Sequence, residues 1–271
     1  MISKNLYMAL MKHLFILISL LLVLPIASAS PILDQIRDHV AQLKSGIIIM
    51  DLDETVIDTH GRKYLSYFEA HQVLCDKGLN TSEECEKALG LSLIDFYRLD
   101  NGYSWQQLMS RLQLPNSDFV GTFNKKMVEF YLSGKWMETD TPMPGANSYV
   151  RELKRLGAQV FFVSSRYSDI QSLSTHEQLT RLGFIQNNNF SNIILRSRGE
   201  DSLTFKKAAV QKIAQYAKLQ DIPVIGLFEN EPENLNAWKK AFPDATAVLI
   251  KGNILIPTEL SSGITIVEDY R

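Results

Sequence analysis

The sequence predicts an α/β fold built on a parallel sheet, with a helical module inserted into it. Three observations carry that prediction. Gly46-Ile47-Ile48-Ile49-Met50 is an unbroken apolar, β-branched run, the pattern of a strand covered by helices on both faces. A helix-period stretch after Gly145, a glycine at 157 and a second apolar run to Arg166 follow one another in a βαβ rhythm. Between these, from about Asp58 to Asp140, the text is helical and aromatic-rich with no strand-like run.

The N-terminus reads as targeting rather than fold. Lys4 and Lys12 precede an apolar run from Leu14 to Ile26, no acidic residue occurs before Asp34, and Ala27-Ser28-Ala29 offers an A-x-A cleavage site. This is the anatomy of a secretory signal peptide, and the run is short against the roughly 20 residues of a membrane span. Residues 1–29 are therefore expected to be a signal peptide, with a mature protein beginning near Ser30 and exported to the periplasm or beyond. No stable membrane insertion is expected after cleavage; an uncleaved anchor is the alternative. What remains is about 240 residues, enough for a core plus an inserted module. A formal net charge of −2 with 45% hydrophobic residues leaves no electrostatic footprint for nucleic acid or an acidic membrane surface.

From Pro31 to Lys44 the apolar residues Ile32, Leu33, Ile36, Val40 and Leu43 keep helical spacing and lead into the first strand. Within the insertion, short helices are expected to start at Thr81, with Glu84 three residues on, and at Ser104 before Trp105. Most of its aromatics should form its own core. Cys75 and Cys85 are the only cysteines; in an exported protein an even pair favours a disulfide, with two buried free thiols as the alternative. Asp140-Thr141-Pro142-Met143-Pro144-Gly145 is a rigid re-entry into the core. The helix from Ala146 to Leu156 closes at Gly157, and the strand Ala158–Arg166 ends in Ser164-Ser165-Arg166. A helix over Asp169–Gly183, a short strand at Asn192–Leu195 and a helix opened by Phe205-Lys206-Lys207 come next. The buried strand Ile222–Phe228 runs into Glu229-Asn230-Glu231-Pro232-Glu233-Asn234, and strands at Thr246–Ile250 and Ile264–Val267 make an outer sheet edge.

The candidate site begins at the C-terminal end of the first strand, where open α/β sheets place their chemistry. Asp51 and Asp53, with only Leu52 between them, crowd like charge unless a cation or a proton-transfer role separates them. The plain alternative is a strand running into an acidic turn. The longer string Asp51-Leu52-Asp53-Glu54-Thr55-Val56-Ile57-Asp58 resembles the first signature of the haloacid dehalogenase (HAD) superfamily, and its exported acid-phosphatase branch in particular. Phe162-Val163-Ser164-Ser165-Arg166 looks like the second signature; Lys206 matches the third, with Lys207 as competitor. The fourth departs from the family's usual aspartates, since only glutamates stand at the strand end, and either Glu229 or Glu231 could take the metal role.

That resemblance implies a doubly wound parallel, Rossmann-like core (residues 30–57 and 141–271) with a helical cap over residues 58–140. It implies a Mg²⁺-dependent phosphomonoester hydrolase acting on a small phosphorylated molecule. Asp51 would be the nucleophile, forming an aspartyl-phosphate, and Asp53 the general acid/base. Ser164 and Lys206 would bind the phosphoryl oxygens. Asp51, the backbone carbonyl of Asp53 and Glu229 would hold the ion, a hard cation suited to oxygen ligands. An aspartate at position 53 favours phosphate esters over carbon–halogen bonds. Thr55 is expected to stabilise the loop, and His39, His60, His71 and His176 to be surface or packing residues, with His60 near enough to line the entrance. The rival reading is an exported binding protein of the same fold whose fourth signature has drifted.

Overall fold

The structure is a computed structural model that describes residues 30–75, 82–98, 117–186, 192–251 and 259–271. The expected signal segment and the helix start at Ser104 lie outside those residues, as does Thr81.

Six strands form one parallel sheet: β1 (Gly46–Met50), β4 (Ala158–Tyr167), β5 (Ile193–Arg196), β6 (Val224–Glu229), β7 (Thr246–Ile250) and β8 (Ile264–Val267). Their order is β5-β4-β1-β6-β7-β8, every pairing parallel. The chain builds outward from β1 to β5, then returns to the other side of β1 at β6. The strand order therefore reverses at β1, and a doubly wound sheet leaves a crevice at the carboxyl ends there. The sheet matches the fold the sequence predicts. One detail differs: β7 is not an edge but lies between β6 and β8, almost wholly buried, and β8 is the edge on that side.

Two apolar layers flank the sheet, and the two-residue period of β1 divides its side chains between them. Ile48 and Met50 face the layer of α1 (Pro31–Leu43), α6 (Ala146–Arg155) and α7 (Ser168–Arg181). Ile47 and Ile49 face the layer of α8 (Ser202–Gln220) and α9 (Pro232–Ala241). All five β1 residues are buried, which is why that run carries no alternation.

The helical insertion is present and begins and ends on a two-stranded antiparallel ribbon, β2 (Ile57–Asp58) with β3 (Thr141–Pro142). Its described helices are α2 (His60–Cys75), α3 (Ser82–Ala88), α4 (Leu93–Arg98) and α5 (Ser117–Leu132). They share a separate core of Tyr67, Ala70, Leu74, Phe96, Phe119, Phe123 and Met127, with edge-to-face ring contacts such as Tyr67–Phe96 at 5.5 Å. A disulfide joins Cys75 to Cys85, their Cα atoms 5.7 Å apart. Re-entry to the core depends on Gly145, whose φ of 78° is left-handed and where a Cβ would lie 2.6 Å from the Tyr270 carbonyl oxygen.

Candidate active site

Strand period and register bring the acidic groups together. Met50 of β1 pairs with Phe228 of β6, so Asp51 and Glu229 are the next residues of two neighbouring strands. Both continue the side of the sheet that carries Ile49 and Leu227, and α8 covers that side. Lys206, one turn into α8, points down between them. Its Nζ donates to Asp51 Oδ1 at 2.9 Å and also to Glu229 Oε1. Helix α8 starts at Ser202 rather than at Phe205 because Asp201 caps it, accepting from the Thr204 amide at 2.9 Å. Lys206 lies on the buried face of α8 and Lys207 is exposed.

Two buried carboxylates share one ammonium here. Burial raises Asp51 to about 6 against the pull of Lys206. Burial likewise raises Glu229 to about 8, again opposed by Lys206. Burial alone would lower Lys206, but Asp51, Glu229 and Glu231 outweigh it and hold the lysine protonated. One cation between two acids balances one carboxylate, and burial favours keeping the proton on the other.

The loop after β1 is tightly wound. Leu52 O accepts from the Val56 and Ile57 amides at 3.0 Å each, and Glu54 sits in the left-handed region at φ 60°. Thr55 has the structural role expected of it: its hydroxyl donates to Asn230 Oδ1 at 3.0 Å and lies 3.4 Å from Asp51 Oδ2, tying the β1 loop to the β6 loop.

Asp53 is where the structure adds most. Arg166 Nε and Nη2 donate to it at 3.1 and 2.6 Å, and Arg62 Nη2 donates at 2.5 Å. Burial would raise its carboxyl, but Arg166 and Arg62 more than offset that and hold it far below the usual carboxylate range. As it stands Asp53 is a fixed anion, not a loaded acid. Asp140, at the exit of the insertion, completes the cluster at 3.1 Å from Arg62 Nη2, and Gln178 Nε2 donates to it at 2.7 Å.

A cavity of about 160 Å³ opens at this point. The β1 loop contributes Asp51, Asp53 and Glu54, β4 contributes Ser164 and Ser165, and α8 contributes Ser202 and Lys206. From the insertion come Lys63 of α2 and Tyr131 of α5, and from the β6 loop Glu231. Four of the five residues read from the sequence thus line one cavity. Glu229 does not. It is fully buried, accepting from Lys206, from Asn234 Nδ2 at 3.0 Å and from the Glu231 amide at 2.5 Å. The carboxylate that reaches the cavity from this loop is Glu231, because β6 ends inside the sheet and the chain needs two more residues to emerge.

His60 is not in the lining; its Nδ1 is 2.7 Å from Asp58 Oδ1. Reading the sequence missed Arg62, Lys63 and Tyr131, which lie in the insertion, and passed over Arg166 as a strand-end cation. Only the last had a usable signal, a buried strand ending in an arginine that needs a carboxylate.

Fold and site define a doubly wound α/β protein with an acidic, lysine-neutralised cavity at the switch point of its sheet. Residues 48–201 match the family model of haloacid dehalogenase-like hydrolases, more than half of the chain, and the protein belongs to that family. No curated protein matches it in sequence. Several solved structures are similar to it. A Clostridium difficile protein provisionally described as a phosphatase aligns at a TM-score of 0.50 with 12% identity, over 77% of this chain and 86% of its own. A family IA, variant 3 HAD hydrolase from Entamoeba histolytica aligns at 0.47 with 13% identity, over 83% and 93%. A hydrolase from Pseudomonas syringae aligns at 0.41 with 16% identity, over 79% and 87%.

Proposed function

We propose that the protein is an exported, Mg²⁺-dependent phosphomonoester hydrolase of the acid-phosphatase kind that works through a phosphorylated Asp51. The observation that carries this reading is the Lys206–Asp51 contact of 2.9 Å at the carboxyl end of β1, in the cavity that Ser164 also lines. A carboxylate held beside a buried ammonium is placed to attack phosphorus while the cation takes up charge on the phosphoryl oxygens. In the first half-reaction an Asp51 oxygen bonds to phosphorus and the ester P–O bond breaks; the alkoxide leaving group takes up a proton. In the second, water attacks phosphorus, gives up a proton and frees Asp51. Asp53 lines the same cavity, so it is the group to handle both protons, provided its carboxylate turns away from Arg62 and Arg166 first.

The donor chemistry fits a hard cation. Asp51 and Glu231 both line the cavity, all candidate ligands are oxygens, and the cluster carries excess negative charge. Mg²⁺ takes one or two carboxylates and keeps several waters. Asp51, the backbone carbonyl of Asp53 and Glu231 would hold it, in place of the Glu229 favoured from the sequence. When bound, the ion neutralises the approach of two oxyanions.

Export is supported by the N-terminal sequence and by the Cys75–Cys85 bridge; periplasmic fractionation tests it. For the activity, phosphate release from an aryl phosphate monoester should require Mg²⁺ and disappear in Asp51→Asn. The clamp on Asp53 favours a second reading, a protein that binds a phosphorylated ligand without turnover. Saturable phosphate binding with no release from any ester would establish it instead.

A further inference from the structure

We infer that the Glu54–Lys63 ion pair is a specificity element that selects phosphate esters of short, uncharged polyols. The inference rests on the phosphatase reading above and concerns the part of the cavity that reading leaves unused.

Once Asp51, Ser164 and Lys206 are assigned to the phosphoryl group, Asp53 to proton transfer and Glu231 to the cation, the remaining wall is Glu54, Lys63, Tyr131, Ser165 and Ser202. Lys63 Nζ donates to Glu54 Oε1 at 2.7 Å, and both side chains are almost fully buried. Glu54 also accepts from the Thr59 amide at 3.3 Å and from the Thr59 hydroxyl. Its left-handed backbone, φ 60° on a non-glycine residue, is a conformation that surrounding structure must impose. Opposite, Ser165 and Ser202 place their hydroxyl oxygens 2.5 Å apart. On this wall Glu54 and Lys63 set one anion against one cation, beside two serine hydroxyls.

Three leaving-group classes are disfavoured by that wall. A second anionic group would meet Glu54 and Glu231, while the one ammonium near it is already neutralised, and like-charge juxtaposition is a strong discriminator. A nucleobase would need a stacking face; the Tyr131 ring already carries the Arg62 guanidinium at 4.3 Å. The cavity itself is small, about 160 Å³. That leaves room for a phosphoryl group and a short chain. Vicinal hydroxyls, each both donor and acceptor, match a buried carboxylate–ammonium pair and paired serines.

The test compares kcat/KM for glycerol 3-phosphate, 3-phosphoglycerate, adenosine 5′-phosphate and an aryl phosphate monoester in Mg²⁺. The glycerol ester is expected to exceed phosphoglycerate, its carboxylate counterpart, by roughly tenfold or more, and to exceed the nucleotide by more. Glu54→Gln should narrow the glycerol-to-phosphoglycerate ratio towards unity, because the carboxylate then meets Lys63 without the Glu54 charge beside it. Lys63→Gln should widen it. Each ratio is taken on one enzyme sample, so partial misfolding of a variant does not alter it. If the aryl phosphate monoester is hydrolysed but phosphoglycerate or the nucleotide is preferred, or the two variants leave the ratio unmoved, this inference is wrong and the phosphatase reading stands. If none of the four releases phosphate, the phosphatase reading fails and the inference with it.

Discussion

Arg166 grips Asp53 at two points, Nε to Oδ2 at 3.1 Å and Nη2 to Oδ1 at 2.6 Å. Arg62 reaches the same carboxylate from the insertion, and Asp140 faces both arginines from the insertion's far end. Two fully buried guanidiniums thus meet two carboxylates, and charge balances only with all four present. Arg166 Nη1 further donates to Thr175 at 3.1 Å and Gln178 at 2.7 Å, so its loss also strands polar groups on α7.

Arg166→Met is therefore expected to lower stability by roughly 3–5 kcal/mol, the usual penalty for breaking one side of a buried ion pair. Arg198→Ala, which removes a half-exposed pair with Asp169 at 2.8 Å, should cost less than about 1 kcal/mol. Urea unfolding of both variants decides the matter. Equal midpoints would mean the buried cluster holds nothing together.

Asp140 makes the stability depend on pH. Burial raises its carboxyl to about 6, with Arg62 and Arg166 offsetting only part of that. A raised carboxyl means the folded state binds the proton more tightly than the unfolded chain. Its contribution is fully present below about pH 4 and is lost as pH rises through about 6. Asp140→Asn imitates the protonated form, so between pH 5 and 7.5 stability should shift in the variant's favour by about 1–1.5 kcal/mol. Thermal unfolding of wild type and variant at both pH values reads this directly. A shift towards wild type would show that the arginines, not burial, govern Asp140.

Lys206 and Lys207 separate cleanly. Lys206→Met should reduce kcat on the order of 10²–10³-fold, the scale of losing one preorganised charge-stabilising donor. Lys207→Met should fall within experimental error of wild type, because that side chain is exposed on the outer face of α8. The reverse pattern would mean that α8 is rotated in the working enzyme.

Glu231 and Glu229 should differ in kind. Glu231→Gln is expected to raise the Mg²⁺ concentration needed for half-maximal activity by about tenfold or more, in line with losses seen when ligand sets are disturbed. Glu229→Gln should act through Lys206, lowering kcat with a smaller change in metal requirement. Titrating activity with Mg²⁺ in both variants tests the assignment. A silent Glu231→Gln would return the metal role to Glu229.

Much of this molecule is legible in one dimension. The strand Gly46–Met50 and the later apolar runs are readable because burial on both faces demands unbroken apolar sequence. Asp51, Asp53, Ser164 and Lys206 are readable because each stands at the end of such a run or at a helix start, where short-range pattern fixes position. Even the bridge between Cys75 and Cys85 follows from their count and the expected compartment. The structure alone decided what depends on residues distant in sequence. That Glu229 turns inward while Glu231 reaches the cavity is set by how far β6 runs before leaving the sheet. That Arg62, Lys63 and Tyr131 belong to the site is set by how the insertion folds back over β1. And that Asp53 is held as an anion follows from two arginines more than 100 positions apart meeting on one carboxylate. Local sequence specifies backbone state and burial, but the charge a buried side chain carries depends on its neighbours in space, and only tertiary packing chooses those.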